Sequence, residues 1–239
     1  MLHAVEKNKL SRSAESGESA RQIFRASEDS LTSSIIGRLL YLPDSMFWNL
    51  LRKSAYGCEL PVECGAIERY EFWPHWDATN TNNANFVEPD IFVRFEHFDL
   101  IIEAKRWDDH QQNWYQWKDQ LMAYGNEFQS DGRMPGRVFY LALGGIHTEK
   151  TECVSGVSIV KSRWRRMLSV VSEARQSVLS GSSKNHAAIR RVLEDTVKAF
   201  EMHGYVAVDW FETWPRDDHD FNKDCYTAIN QWALNWKDD

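Results

Sequence analysis

Apolar positions recur at helical spacing early in the chain. They predict a helix that closes before Pro43, with an apolar stripe made of Phe24, Leu31, Ile35 and Leu39. A second helix is expected next, because Asp44 could cap a segment whose apolar residues are Met46, Leu50 and Leu51. Residues 1–20 are polar and rich in Ser, Glu and Lys, so we expect a flexible tail there.

The middle of the chain alternates between apolar and polar positions in the way that strands do. The segment 88–105 is predicted to form two adjoining strands, and further strands are predicted over 67–73 and 137–143. A polar loop over 75–85 should lie near the surface. Residues 109–128 are predicted to be helical, and the glutamines that share one face of this helix are Gln112, Gln116 and Gln120.

The C-terminal part of the chain is mainly helical in pattern. Two helices, a strand and a last helix are predicted over 162–179, 186–203, 205–211 and 223–236. The order of elements predicts an α/β fold in which a mixed central β-sheet is flanked by helices and followed by a C-terminal helical region. We expect one domain over 21–239, with its mainly helical part over 160–239.

The composition narrows the classes of function. The 239 residues carry 28 Lys and Arg against 35 Asp and Glu, a formal net charge of −7. This charge argues against a protein held on nucleic acid mainly by electrostatic attraction, so such binding must be local, metal-assisted or shared with a partner. The chain has no apolar run approaching roughly 18 residues, which predicts a cytoplasmic protein without a membrane segment. The cysteines are scattered, so reduced thiols are expected.

The two strands of 88–105 bring acidic residues together if they form a hairpin that turns at Glu96 and His97. Residues whose numbers sum to 193 then face one another, so Asp90 lies opposite Glu103, with Cβ atoms about 4.5–5.5 Å apart. Alternation places Lys105 on the same side as Glu103. The other side is uncharged and should be buried; it carries Ile91, Val93, Phe95, Phe98, Leu100, Ile102 and Ala104.

Two carboxylates this close repel each other unless a cation lies between them. A hard divalent cation, Mg²⁺ or Mn²⁺, suits a two-carboxylate site that keeps positions open for water and phosphate. The alternative is a cross-strand pair of acid and lysine on a solvated face of the hairpin. The spacing alone leaves both interpretations open.

The segments Pro89-Asp90 and Glu103-Ala104-Lys105, each beside an apolar strand, resemble the signature of the PD-(D/E)xK nuclease superfamily, which has the restriction-endonuclease-like fold. The resemblance covers roughly residues 25–145. It implies that Asp90, Glu103 and the backbone carbonyl of Ala104 bind the metal. It also implies that Lys105 positions or polarises the attacking water and offsets charge that develops on the phosphate.

Two flanking features are similar to elements of the same superfamily. Glu28 lies on the apolar stripe of the first helix, where the superfamily often places an acidic residue that assists at the metal site. The alternative is that Glu28 only complements the helix dipole, and Asp29 is the neighbour that could take its place. Gln120 and Tyr124 are similar to a QxxxY element whose glutamine bonds the nucleophilic water or a phosphate oxygen, although Gln116 could be the equivalent residue. A polar helix face is the alternative here.

The densest basic cluster of the chain comprises Lys161, Arg163, Arg165 and Arg166, beside a stripe of Trp164, Met167, Leu168 and Val171. In such a cluster, Arg163, Arg165 and Arg166 could hold the phosphate backbone of a nucleic acid. The alternative is a solvated helix face.

The resemblance implies a Mg²⁺- or Mn²⁺-dependent nuclease that hydrolyses DNA and leaves a 5′-phosphate and a 3′-hydroxyl. It suggests a bacterial restriction or anti-phage defence setting, with an ATPase, a helicase or another defence subunit as a candidate partner. An oligomer is compatible with it as well. The alternative function is a weakly catalytic binding or assembly subunit, which the abundant tryptophans and the negative charge would suit. The intact set of Asp90, Glu103 and Lys105 favours the enzyme, because a retired site has no physical reason to keep a costly carboxylate pair.

Overall fold

A computed structural model describes residues 27–57, 60–107, 110–128, 138–179 and 186–206. All of them fall within one compact unit, Met1–Ala207, and a second unit, Val208–Asp239, lies outside the described residues. The tail predicted over 1–20 and the last helix predicted near 223–236 lie outside them as well, as does most of the strand predicted over 205–211.

The described residues form five α-helices: α1 (Glu28–Leu39), α2 (Asp44–Ser54), α3 (Trp114–Phe128), α4 (Trp164–Leu179) and α5 (His186–Met202). The Ser27 side chain caps α1 by accepting a hydrogen bond from the Ser30 N–H at 3.1 Å. The cap predicted at Asp44 is wrong, because Pro43 holds the N-cap position and the Asp44 carboxylate accepts a hydrogen bond from the Ile67 N–H instead. The helix predicted from residue 109 begins later, at Trp114.

Eight strands accompany these helices: β1 (Ile67–Phe72), β2 (Trp76–Asp77), β3 (Phe86–Val87), β4 (Ile91–Phe95), β5 (Asp99–Ala104), β6 (Val138–Leu143), β7 (Glu152–Val154) and β8 (Val157–Ser162). Six of them form one sheet in the order β1-β4-β5-β6-β8-β7, and β2 pairs with β3. β5, β6 and β8 run parallel, whereas the pairs β1–β4, β4–β5 and β7–β8 are antiparallel. The crossover from β5 to β6 runs through α3, as a parallel pair requires. The mixed α/β sheet predicted from the sequence is confirmed.

The hairpin register predicted for 88–105 is also confirmed. Ile91 pairs with Ile102 and Arg94 pairs with Asp99, so the numbers of paired residues sum to 193. Extended by one residue beyond β4, this register places Asp90 beside Glu103. A slip of one residue would have moved one of the two carboxylates to the opposite face of the sheet.

Both faces of the sheet are covered. The face predicted to be buried packs against α1, α2, α4 and α5, and its seven predicted residues all belong to that core. The other face packs against α3 and the β2–β3 pair, around Trp76, Phe92, Ile101, Trp117 and Tyr140. All six residues of β5 are buried. The interpretation of the acidic side as a solvated hairpin face is therefore wrong.

The sequence analysis missed the hairpin of β7 and β8. It turns at Ser155 and Gly156, both of which have positive φ, and β8 extends the sheet by pairing in parallel with β6. Lys161, which the sequence places in a basic cluster, lies in β8 with only 1% of its surface exposed and forms an ion pair with Glu152. Its charge is therefore neutralised at the edge of the sheet and does not contribute to a basic surface.

None of the described helices is long and apolar enough to cross a membrane. Cys64 and Cys153 are free thiols, and Cys58 and Cys225 lie outside the described residues. For the two described cysteines this agrees with the expectation of reduced thiols.

Candidate metal and active site

The predicted acidic pair lies where β5 ends beneath α3. Asp90 directly precedes β4, and its Oδ2 atom accepts a hydrogen bond from the backbone N–H of Ala104 at 2.7 Å. Glu103 precedes Ala104 and is only 2% exposed. The Ala104 N–H therefore holds the Asp90 carboxylate against the end of β5, beside Glu103.

Three donors surround the carboxylate of Glu103. Its Oε1 atom accepts hydrogen bonds from Nζ of Lys105 at 2.5 Å and from Nε2 of Gln116 at 2.7 Å. Its Oε2 atom accepts one from Nε2 of Gln120 at 2.7 Å. Gln116 and Gln120 are four residues apart on α3, which aims both amides at the same carboxylate. Both glutamines weighed from the sequence are thus brought to Glu103.

Buried contacts hold the amides of Gln120 and Gln112 in place. The hydroxyl of Tyr140, in β6, donates to Oε1 of Gln120, so Nε2 of Gln120 faces Glu103. Gln112 donates from Nε2 to the backbone carbonyl of Glu103 at 3.0 Å, and its Oε1 atom accepts from Nε1 of Trp117 at 2.7 Å. The three glutamines predicted to share one face therefore all contact Glu103.

The backbone of Lys105 is fixed by its neighbours. Its N–H donates to the Leu143 carbonyl at 2.7 Å, and its carbonyl accepts from Nε1 of Trp164 at 2.7 Å. Gly144 packs so closely that a Cβ atom there would lie 2.2 Å from the Lys105 carbonyl oxygen. Gly144 also has a φ of 71°, so both its conformation and its contact require glycine.

Glu28 reaches the site from the first turn of α1. Its Oε1 atom accepts a hydrogen bond from Nζ of Lys105 at 3.4 Å, and its Oε2 atom accepts one from the backbone N–H of Arg106 at 2.7 Å. Asp29, the neighbour considered in its place, is exposed. Glu28 therefore joins the site through Lys105 and Arg106.

The site carries an excess of negative charge. Glu28, Asp90 and Glu103 are three carboxylates around the single ammonium group of Lys105, which leaves a net charge of −2 when all four groups are ionised. Burial and the charge of Glu103 raise the pKa of Asp90 to about 8. Burial also raises the pKa of Glu103 above its ordinary value. Burial alone would lower the pKa of Lys105, but the Glu103 carboxylate beside it raises that pKa. The ionised site therefore lacks the positive charge that would balance its three carboxylates.

A divalent cation would supply this charge, and the donor atoms fit one. The Oδ1 atom of Asp90 accepts no hydrogen bond from the described residues. The carbonyl of Ala104 points to the same side of β5 as the N–H that binds Asp90, so this carbonyl oxygen lies on the side of the strand where the Asp90 carboxylate lies. No group of three or more His, Cys, Asp or Glu side chains in the described part of the chain is arranged to hold a metal ion. A two-carboxylate site for Mg²⁺, which keeps several water ligands, does not need one.

Sequence comparison finds similarity to an uncharacterized protein of Pasteurella multocida. The two proteins are 26% identical over 208 residues, which span 81% of this chain and 77% of that protein. No model of a protein family and no solved structure matches the chain.

The basic residues predicted to hold DNA lie at the start of α4. Arg163 is half-buried, whereas Arg165 and Arg166 are exposed. The guanidinium group of Arg166 lies 4.7 Å from the ring centroid of Tyr56. The opposite stripe of α4 is buried as predicted. The contact of these arginines with nucleic acid stays a prediction.

Tyr140 is the site residue that the sequence analysis missed. The parallel register sets Ala142 beside Glu103 and Tyr140 beside Ile101, so Tyr140 shares the Glu103 face of the sheet. The available signal was a single hydroxyl in the otherwise apolar strand VFYLAL. Tyr124, which the sequence pairs with Gln120, donates to Asp99 at 2.8 Å instead.

Proposed function

We propose that this protein is a divalent-metal-dependent nuclease of the PD-(D/E)xK type that hydrolyses phosphodiester bonds in DNA. One observation carries the proposal: the buried carboxylates of Asp90 and Glu103 lie beside Lys105 in a site with excess negative charge. The mixed sheet with helices on both faces supports a restriction-endonuclease-like fold. The resemblance of the two short segments around these residues to the superfamily signature also supports it.

Mg²⁺ or Mn²⁺, held by Asp90, Glu103 and the carbonyl of Ala104, would polarise the phosphate and ease deprotonation of the attacking water. Hydrolysis forms a bond between the water oxygen and phosphorus and breaks the bond from phosphorus to O3′. One water proton ends on the 3′-hydroxyl, and the other product carries a 5′-phosphate.

Lys105 supplies the fixed positive charge of the site. The adjacent Glu103 raises the pKa of its ammonium group, which therefore stays protonated at neutral pH. A protonated lysine cannot accept the proton of water, so Lys105 orients the water and offsets the charge that develops on the phosphate. Gln116 and Gln120 hold the Glu103 carboxylate in one orientation while this happens.

A place in restriction or anti-phage defence, with an ATPase or helicase as partner, stays a prediction of the resemblance. The contact of Arg163, Arg165 and Arg166 with the phosphate backbone of DNA stays a prediction from the basic cluster in the sequence. The alternative, a weakly catalytic assembly subunit, predicts a folded protein that binds its partner but turns over no DNA.

The test is incubation of the purified protein with linear, circular and single-stranded DNA in Mg²⁺, Mn²⁺, Ca²⁺ or excess chelator. We expect cleavage with Mg²⁺ or Mn²⁺ only, with 5′-phosphates on the products. Asp90→Asn should be inactive, and Glu201→Gln, which changes an exposed carboxylate of α5, should match the wild type. Full activity in excess chelator, or in Asp90→Asn, would contradict the proposal.

A further inference from the structure

Exposed aromatic side chains lie together beside the acidic site. Tyr115 is 66% exposed, Trp114 is 44% exposed and Phe86 is 42% exposed. The rings of Trp114 and Tyr115, at the start of α3, meet edge to face with their centroids 5.4 Å apart. Phe86, in β3, stacks on the ring of His75 at 3.9 Å. Exposed aromatic rings that are grouped in this way are typical of a binding surface.

Tyr115 and Phe86 line a cleft of about 710 Å³ that adjoins the acidic site. Gln116 and Gln120, which both donate to Glu103, form part of its wall. Glu88, two residues before Asp90, forms another part. The volume lies in the range of pockets that hold small organic ligands. A nucleotide in this cleft would therefore lie next to the proposed reaction centre.

The remaining lining consists of amide side chains, one further acid and Val87. Asn82 donates to both carboxylate oxygens of Asp119, at 3.1 and 3.0 Å, which ties the asparagine-rich loop to α3. Asn83 and Asn113 also line the cleft, and no Lys or Arg is among its described lining residues. A phosphate chain would find no charge partner on this wall. Nucleobases are neutral, stack on aromatic rings and form hydrogen bonds with amides.

We propose that this cleft binds the unpaired bases of single-stranded DNA. Tyr115 stacks on one base, Phe86 backed by His75 offers a second platform, and the amides of Asn83 and Asn113 bind base edges. A duplex keeps its bases stacked on one another and does not present their faces to a protein. The inference rests on the proposed function, because it names the substrate class of that same site.

The experiment measures binding without cleavage, in buffer with excess chelator, by fluorescence anisotropy. The probes are a labelled single strand of about 12 nucleotides, which is within the site sizes of single-strand binders, the same strand in a duplex, and an abasic strand of equal length. The abasic strand keeps the phosphates and lacks the bases. We expect the single strand to bind at least about tenfold more tightly than either of the other two probes.

The matched variants are Tyr115→Ala, Tyr115→Phe and Tyr41→Ala. Tyr115→Ala should weaken binding of the single strand by about tenfold, and Tyr115→Phe should restore it, because stacking needs the ring and not the hydroxyl. Tyr41 is an exposed tyrosine that lines a separate cavity with Arg38 and Asp195, so its loss should change nothing. The effect of Tyr115→Ala should also persist at high salt, since stacking is not screened.

Equal binding of the single strand and the duplex, equal binding of the abasic strand, or an unchanged affinity in a folded Tyr115→Ala protein would each overturn the inference. Cleavage of DNA by a protein that does not bind the single strand more tightly than the abasic strand would support the proposed function and contradict the inference about the cleft. Base-dependent binding without cleavage in any divalent metal would remove the proposed function and leave the cleft as a single-strand binding site.

Discussion

The Nζ atom of Lys105 donates a hydrogen bond to the Oε1 atom of Glu103 at 2.5 Å, and only 2% of the Glu103 surface is exposed. Burial disfavours the ionised form of Glu103, and the ammonium group of Lys105 offsets that effect in part. Lys105 therefore stabilises the ionised form of Glu103 and is not itself a proposed metal ligand, since those ligands are oxygen atoms of other residues.

Lys105→Ala should lower the rate of DNA cleavage by at least about a hundredfold, the usual scale for losing one stabilising charge at a reaction centre. Metal binding should be retained, because Lys105 is not a ligand and its removal makes the site more negative. Lys198→Ala, which removes an exposed lysine of α5, is the control and should leave the rate unchanged. The measurement is initial cleavage rate together with Mn²⁺ binding, and an equal loss of both in Lys105→Ala would show that this role is wrong.

The stability of the metal-free protein should depend on pH through Asp90. Burial and Glu103 raise the pKa of Asp90 from 3.8 to about 8 in the folded protein. Between these values the folded protein keeps a proton that the unfolded chain has lost, so the free energy of unfolding falls as pH rises, by at most about 1.4 kcal/mol per pH unit. The contribution is complete below the lower value and is lost above about pH 8.

Asp90→Asn has no proton to lose, so its stability should fall less steeply with pH. The measurement is the melting temperature of both proteins in chelator from about pH 5 to about pH 9. The melting temperature of the variant should rise relative to that of the wild type toward pH 9. Parallel pH profiles for the two proteins would mean that the pKa of Asp90 is not raised.

The register of the hairpin was predictable from the sequence, and the environment of its acidic side was not. Alternation fixes which residues of 88–105 share a face, because a slip of one residue would move residues such as Ile91 to the opposite face of the sheet. The cover over Glu103 comes from α3, whose Gln116 and Gln120 donate to its carboxylate, and no local pattern shows where a helix packs. Lys161 was assigned to a basic cluster for the same reason. Its partner Glu152 is brought to it only by the pairing of β7 with β8.

Gly144→Ala should destabilise the protein and slow cleavage. The new Cβ atom would lie 2.2 Å from the carbonyl oxygen of Lys105, and the φ of 71° adds roughly 1–2 kcal/mol of backbone strain. Gly125→Ala is the matched control, because Gly125 lies inside α3 and a Cβ atom there would meet no neighbouring segment of the described residues within 4 Å. That variant should gain up to about 1 kcal/mol of stability. The measurement is the melting temperature of each variant relative to the wild type. Similar shifts in both variants would show that Gly144 has no special role.

Tyr140→Phe should lower kcat with little change in KM. The substitution removes the hydroxyl that donates to Oε1 of Gln120, so this amide can turn its oxygen toward Glu103 and lose its hydrogen bond. Leaving a buried acceptor without a donor also costs about 1–3 kcal/mol of stability. Tyr124→Phe is the control, because the hydroxyl of Tyr124 donates to Asp99 and not to the Glu103 network. An unchanged kcat in Tyr140→Phe would show that the Tyr140 hydroxyl does not position Gln120 for catalysis and that the residue only packs in the core.

The most direct measurement of the central claim is the melting temperature of the wild type and of Asp90→Asn, each with and without Mg²⁺, at about pH 8, where Asp90 is ionising. It does not depend on finding the right DNA substrate. Without metal, Asp90→Asn should melt higher than the wild type, because it removes a charge that burial and Glu103 oppose. With Mg²⁺ at several times its dissociation constant, the wild type should gain about 1 kcal/mol, or roughly 2–4 °C, and the variant much less. A variant that is less stable than the wild type without metal, and equally stabilised by Mg²⁺, would show that Asp90 is a structural acid and that the site does not bind the cation.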